Sequence, residues 1–154
     1  MMALHARNAE RIMTALAASL VTASAAIVAL LGTAHLLYTF HGSKLSPRDP
    51  ELQTRMQQTS LRITRQTTMW KAWIGFNASH GCGLLLFGAV YGYLALTQAD
   101  LLFRSVFLGG LGLLSLFAYA VLAKQYFFRA PFRAVVLATF FCTLAFIVRT
   151  YGGE

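Results

Sequence analysis

Acidic side chains are scarce: the chain has five Asp and Glu against thirteen Lys and Arg, and charged residues make up 12% of its 154 positions. Soluble domains carry roughly 25%. A chain with half that share cannot cover its own surface with polar groups, so lipid must do the covering. None of the five acids lies inside an apolar run, which argues against a proton-coupled transporter of the carboxylate type. The H-E-x-x-H, P-loop, GxSxG and GxGxxG patterns are absent as well, so the sequence gives no sign of protease, nucleotide or hydrolase chemistry. Cysteine is limited to Cys82 and Cys142, without a CxxC or CxxCH pair. Both sit in apolar runs, where a thiol is usually a small buried hydrophobe, and no disulfide framework is expected.

What the chain has instead is hydrophobicity, at 57% apolar residues and a mean hydropathy of +0.59. Four stretches carry no charged residue: 12–40, 72–99, 105–123 and 134–148. A helix needs about 20 mostly apolar residues to cross a hydrocarbon core of roughly 30 Å. The pattern therefore predicts an all-α, polytopic transmembrane bundle of four helices, a single domain over 1–154, with spans at about 14–40, 70–96, 101–124 and 131–150. The last apolar stretch is short, but Arg133 and Arg149 can snorkel from its ends. The N-terminus has some features of a secretory signal, with His5, Arg7 and Arg11 ahead of an apolar run and Ala23-Ser24-Ala25 as a cleavage-like triplet. The run continues to Leu37, which suits a retained first span. No sheet is expected, because unpaired backbone is too costly in lipid and the runs are too long for barrel strands.

The breaks between spans carry turn chemistry. Thr97-Gln98-Ala99-Asp100 has capping-box form, and Pro131 stands where a last helix begins. After span one, residues 41–50 read as a loop, and Asp49-Pro50-Glu51 is a strong helix start. From there to Trp70 the helical wheel places Leu52, Met56, Ile63 and Trp70 within about 40° of one another, with Arg48, Arg55, Arg62 and Arg65 on the adjoining side. The expectation is a basic amphipathic helix over about 50–69 that extends into span two. It either lies on lipid headgroups or packs on a neighbouring helix.

The formal charge of +8 fits anionic headgroups and control of insertion. Nucleic acid is not expected as a partner, because the basic residues flank apolar spans. Lys44, Arg48, Arg55, Arg62, Arg65 and Lys71 in loop one, with Lys124, Arg129 and Arg133 in loop three, outnumber Arg7, Arg11, Arg104 and Arg149 on the other side. The positive-inside rule then places loops one and three in the cytoplasm and both termini outside.

Polar groups inside spans are the default functional candidates. Trp73, Asn77, His80, Leu84, Phe87 and Tyr91 share one face of span two, and Leu31, His35, Tyr38 and Thr39 share a face of span one. His35 lies just before the end of one span and His80 just after the start of the next, so both belong to the same leaflet. The candidate ligand-binding set is His35, Tyr38, Trp73, Asn77, His80 and Tyr91. Three readings stay open. Two facing imidazoles can ligate haem iron or a metal; they can bind a quinone or another polar-headed apolar ligand; or they can simply hydrogen-bond helix carbonyls or interfacial water, with Asn77 as interhelical glue. No cofactor is required by the sequence, and haem is the alternative. Trp70 and Trp73 also suit an interfacial aromatic belt. Gly75, Ser79, Gly83, Gly88 and Gly92 on span two, and Gly109, Gly110 and Gly112 on span three, have small-residue spacing that serves packing within the bundle or between protomers.

The segment His35-Leu36-Leu37, the Pro-Glu-Leu of the loop with Met56 after it, and Met69-Trp70-Lys71-Ala72-Trp73-Ile74-Gly75-Phe76-Asn77-Ala78-Ser79-His80 together resemble a family of small, uncharacterised bacterial four-span membrane proteins. The resemblance covers roughly residues 30–92. It implies four spans and a bacterial inner membrane, and it brings no activity with it. The leading expectation for function rests on the shared face and depth of His35, Asn77 and His80: non-catalytic binding of a lipid-like or apolar ligand or of a membrane partner. The alternatives are a redox or isomerase enzyme holding haem or metal between His35 and His80, and a structural subunit of a larger membrane complex or homo-oligomer.

Overall fold

A computed structural model describes the backbone of residues 2–151 and the side chains of 7–150; His5, noted above, lies outside the described side chains. Long helices dominate because a chain with this little polarity can satisfy its backbone only within itself. In order they are α1 (Met2–Phe40), α2 (Pro50–Gln58), the strands β1 (Ser60–Leu61) and β2 (Thr64–Thr68), then α3 (Met69–Thr97), α4 (Ala99–Arg104), α5 (Val106–Tyr126) and α6 (Arg129–Tyr151). Four helices are long and apolar enough to cross a membrane: Arg7–Phe40, Met69–Thr97, Val106–Tyr126 and Arg129–Thr150.

The chain divides into two compact units, Met1–Ala29 with Leu86–Glu154, and Leu30–Leu85. In the first, parts of α1 and α3 pack with α4, α5 and α6. Its core gathers Ala17, Val21 and Ala25 from α1, Tyr91, Leu94 and Ala95 from α3, Leu102 from α4 and Ala145 from α6. Two of the three α1 positions are alanine, as are Ala95 and Ala145 opposite, so the helices approach closely there. Ser24 is buried and donates to the Ala138 carbonyl at 2.8 Å. Outward positions such as Leu114 and Phe117 remain more than 60% exposed, as lipid-facing side chains should.

In the second unit the end of α1 runs antiparallel to the start of α3. The helices touch at Gly32, where an added Cβ would lie 2.8 Å from the Gly81 carbonyl oxygen and 2.9 Å from the Leu85 nitrogen. Both obstacles are backbone, so no side-chain rotation relieves them. At Gly42, φ of +89° turns the chain out of α1, a conformation that costs glycine little.

Several local expectations change. The helix after Asp49 forms as expected: Asp49 caps it by accepting from the Glu51 N–H at 2.9 Å, with Pro50 at its start. It ends at Gln58 and does not run on to Trp70. Residues 60–68 form a two-stranded antiparallel hairpin instead. Five of the ten residues from 59 to 68 are Thr or Ile, and β-branching favours strand over helix. The wheel that grouped Ile63 with Leu52 and Met56 registered spacing but not this composition. The hairpin lies outside the spans, so the argument against sheet in lipid still holds there. Thr97 does not cap α4; its hydroxyl donates back to the Tyr93 carbonyl, and Gln98 holds the cap position without a side-chain bond. The capping role falls to Ser105, which accepts from the Leu108 N–H and starts α5. Span three therefore begins at Val106.

Gly88 and Gly92 face Ala25 of α1, Gly109 meets Phe146 of α6 and Gly112 meets Tyr91, whereas Gly75 and Gly110 meet nothing within 4 Å. Gly32→Ala should accordingly destabilise the protein by about 1–3 kcal/mol, the usual cost of overpacking. Gly75→Ala should be neutral or slightly stabilising, because alanine is the better helix former. Thermal unfolding of both variants in detergent, side by side with the parent, measures the contrast.

Candidate functional site

The second unit brings together most of the polar groups that the sequence singles out. His35 sits one turn before the end of α1, and Asn77 and His80 sit one turn apart on α3. The Asn77 amide nitrogen donates to the Trp73 carbonyl at 2.8 Å. A carbonyl cannot donate, so the orientation of the amide is fixed and its oxygen is the atom 3.0 Å from His35 Nε2. The imidazole must then supply the proton, which makes His35 Nε2 a donor. The two imidazole rings are 4.9 Å apart between centres and nearly perpendicular, at 74°.

Next to this pair lies a partly open cleft of about 230 Å³, lined by Tyr38, Thr39, Trp70, Trp73 and Asn77 together with residues of the loop that follows α1. The Trp73 indole N–H donates to the Leu45 carbonyl at 3.0 Å, tying the loop to α3. Lys44 holds its ammonium 4.1 Å from the centre of the Tyr38 ring, within cation–π range. Thr39 donates to the His35 carbonyl at 2.7 Å. The arrangement combines aromatic walls, one oriented amide and a nearby cation.

Of the six candidate residues, Tyr38, Trp73 and Asn77 line the cleft and His35 bonds to Asn77, with His80 packed against His35. Tyr91 does not belong with them. It is a core residue of the first unit, stacked on Phe87 with ring centres 4.5 Å apart and donating to the Leu108 carbonyl at 2.8 Å. The helical wheel put Tyr91 in phase with Asn77 and His80, but a wheel carries no information on what each turn packs against. Sequence reasoning overlooked Leu45 and Gln53, which also line the cleft. Their only signal was position, Leu45 in the loop after α1 and Gln53 in α2, which that loop leads into.

Haem does not fit between the two imidazoles. Metal–nitrogen bonds of about 2 Å on opposite sides of one iron keep the ring centres roughly 6 Å apart. Here they are 4.9 Å apart and edge to face. Among the described residues no group of three or more His, Cys, Asp or Glu side chains is placed to hold a metal ion.

Fold and composition define the class: a small multi-pass membrane protein with four transmembrane-length helices. Comparison with family models, with curated proteins and with solved structures finds no match to this chain.

The His35–Asn77 contact is open to a double-mutant cycle. Asn77→Ala and His35→Ala should each destabilise the protein, and the double variant should lose less than the two combined. The expected coupling is about 0.5–1.5 kcal/mol, typical of interhelical bonds in membranes. Additive losses in reversible detergent unfolding would mean that the bond contributes nothing.

Proposed function

We propose that this protein is a non-catalytic membrane protein that binds the polar end of a lipid-like ligand in the cleft beside Tyr38, Trp73 and Asn77. The observation that carries this reading is the cleft itself, in which aromatic walls meet one oriented amide and a lysine stands over a wall ring. The exposed lining of the cleft is mostly polar, which suits the polar end of a ligand and not its chain. At about 230 Å³ the cleft falls below the roughly 300–1,000 Å³ of pockets that enclose whole drug-sized ligands. That size suits a headgroup whose remainder lies in the bilayer. The excess of basic residues in loops one and three supports an orientation with those loops in the cytoplasm, and on that orientation the cleft belongs to the cytoplasmic leaflet.

The haem enzyme is the weaker reading, because the rings stand too close to be two axial ligands of one iron, and among the described residues no group of three or more His, Cys, Asp or Glu is placed to hold a metal ion. Native mass spectrometry of the protein released from mild detergent distinguishes the two. The expected result is a set of lipid-sized adducts that survives desolvation and falls several-fold in Trp73→Ala and Asn77→Ala, while Phe117→Ala, on the outward face of α5, retains it. A parent protein without adducts, or adducts indifferent to all three substitutions, would rule out the cleft as a lipid site. A Soret band in the same preparation that vanishes in His35→Ala would favour the enzyme.

A further inference from the structure

The hairpin that follows α2 carries a feature that the fold does not use. Its turn is Arg62-Ile63, between β1 and β2. Ile63 is 88% exposed, and Arg62 and Arg65 beside it are exposed too. Turns favour Gly, Asn, Asp, Pro and Ser for stereochemical reasons, yet neither turn residue here has a positive φ. Backbone geometry therefore does not demand this pair, and an isoleucine that buries almost nothing adds little to the fold.

Surface isoleucines are ordinary in isolation; the surroundings distinguish this one. No acidic residue occurs between Glu51 and Asp100, so the hairpin and the start of α3 form a region of one sign, with Arg62, Arg65 and Lys71 following Arg55 of α2. Among the described residues only Arg55 of these four has an ion-pair partner, Glu51 at 2.7 Å. The connection is also held at the membrane from both sides, since it leaves α1 at Phe40 and enters α3 at Met69, both ends of transmembrane-length helices. The five residues of β2, at about 3.3 Å each, keep the tip within roughly 17 Å of Met69.

We propose that the Arg62-Ile63 tip is a membrane-surface anchor, with Ile63 entering the interfacial region and Arg62 and Arg65 engaging anionic lipid headgroups. The partner is an anionic bilayer surface, selected by charge complementarity, because basic segments next to a span gain from a negative leaflet and lose that gain as salt screens it. An acidic protein surface offers the same charges but would act regardless of lipid composition. This anchor is independent of the cleft: it uses other residues and is read by a different measurement.

The test places an environment-sensitive thiol dye at Ile63→Cys in a Cys82→Ala background, leaving the buried Cys142 in place. The protein is reconstituted in nanodiscs of phosphatidylcholine alone or rich in phosphatidylglycerol. The expected result is a blue-shifted emission and a several-fold drop in acrylamide quenching in the anionic discs, reversed by high salt and abolished by Arg62→Gln with Arg65→Gln. The same dye at Gln58→Cys should not respond. Deuterium uptake across 60–68 in the unlabelled protein, with Ile63 intact, should slow in anionic discs alone. Equal quenching and equal uptake in both lipids would overturn the proposal. Protection of the same size in neutral discs would also overturn it and would assign the tip to a protein contact. A matching response at Gln58→Cys would trace the dye signal to partitioning of the dye.

Discussion

Hydrocarbon offers no hydrogen-bond partners, so every polar group that enters it must be satisfied by the chain. The backbone meets that demand with helices, and the side chains follow the same rule one residue at a time. Ser19, Thr22, Thr39, Ser115, Thr139 and Thr143 each donate to the carbonyl four residues earlier, at 2.7–2.9 Å. Such bonds within one turn make a hydroxyl nearly invisible to the lipid and commit it to nothing beyond its own helix. Among the described residues no buried side-chain nitrogen or oxygen lacks a partner.

The polar groups that reach another helix are therefore few, and they stand out. Ser24 bonds to Ala138 and Tyr91 to Leu108 within one unit; His35 bonds to Asn77 within the other. Each is worth about 1 kcal/mol in a membrane, too little to hold a bundle together. Their geometry is demanding all the same, and a sliding helix would leave a donor or acceptor stranded in hydrocarbon at greater cost. These bonds fix register, while close packing at positions such as Gly32 and Gly88 supplies the contact.

How much of this the sequence reveals depends on the range of the signal. Spans are legible because hydrophobicity over some 20 residues has few other meanings, and the Asp49-Pro50 start is legible because it is local. The hairpin at 60–68 was obscured by apolar spacing that imitates a helix, although Thr59, Thr64, Thr67 and Thr68 already spoke against one. Gly32 went unnoticed because its importance lies wholly in the Gly81 and Leu85 backbone opposite. Tyr91 was misread for the related reason that a face is defined by one helix and a site by two. His35, Asn77 and His80 were found together because loop one forces their helices to be antiparallel neighbours, which makes sequence distance from the loop a measure of depth.

On the proposed reading of the cleft as a ligand site, the His35–Asn77 bond also limits what can be recognised there. An amide offers two N–H donors and two lone pairs on its oxygen. Trp73 takes one donor and His35 one lone pair, and by that count one donor and one lone pair remain. The indole N–H of Trp73 is committed to Leu45, so it adds aromatic surface but no donor. Lys44 brings positive charge to the Tyr38 wall. A ligand that suits these groups carries an oxygen acceptor for the amide and negative charge for the lysine, as phosphate esters and carboxylates do. It gains little from the imidazole, whose Nε2 proton is already placed. On the proposed reading, recognition passes through the amide, whose orientation the Trp73 carbonyl fixes and whose oxygen His35 engages.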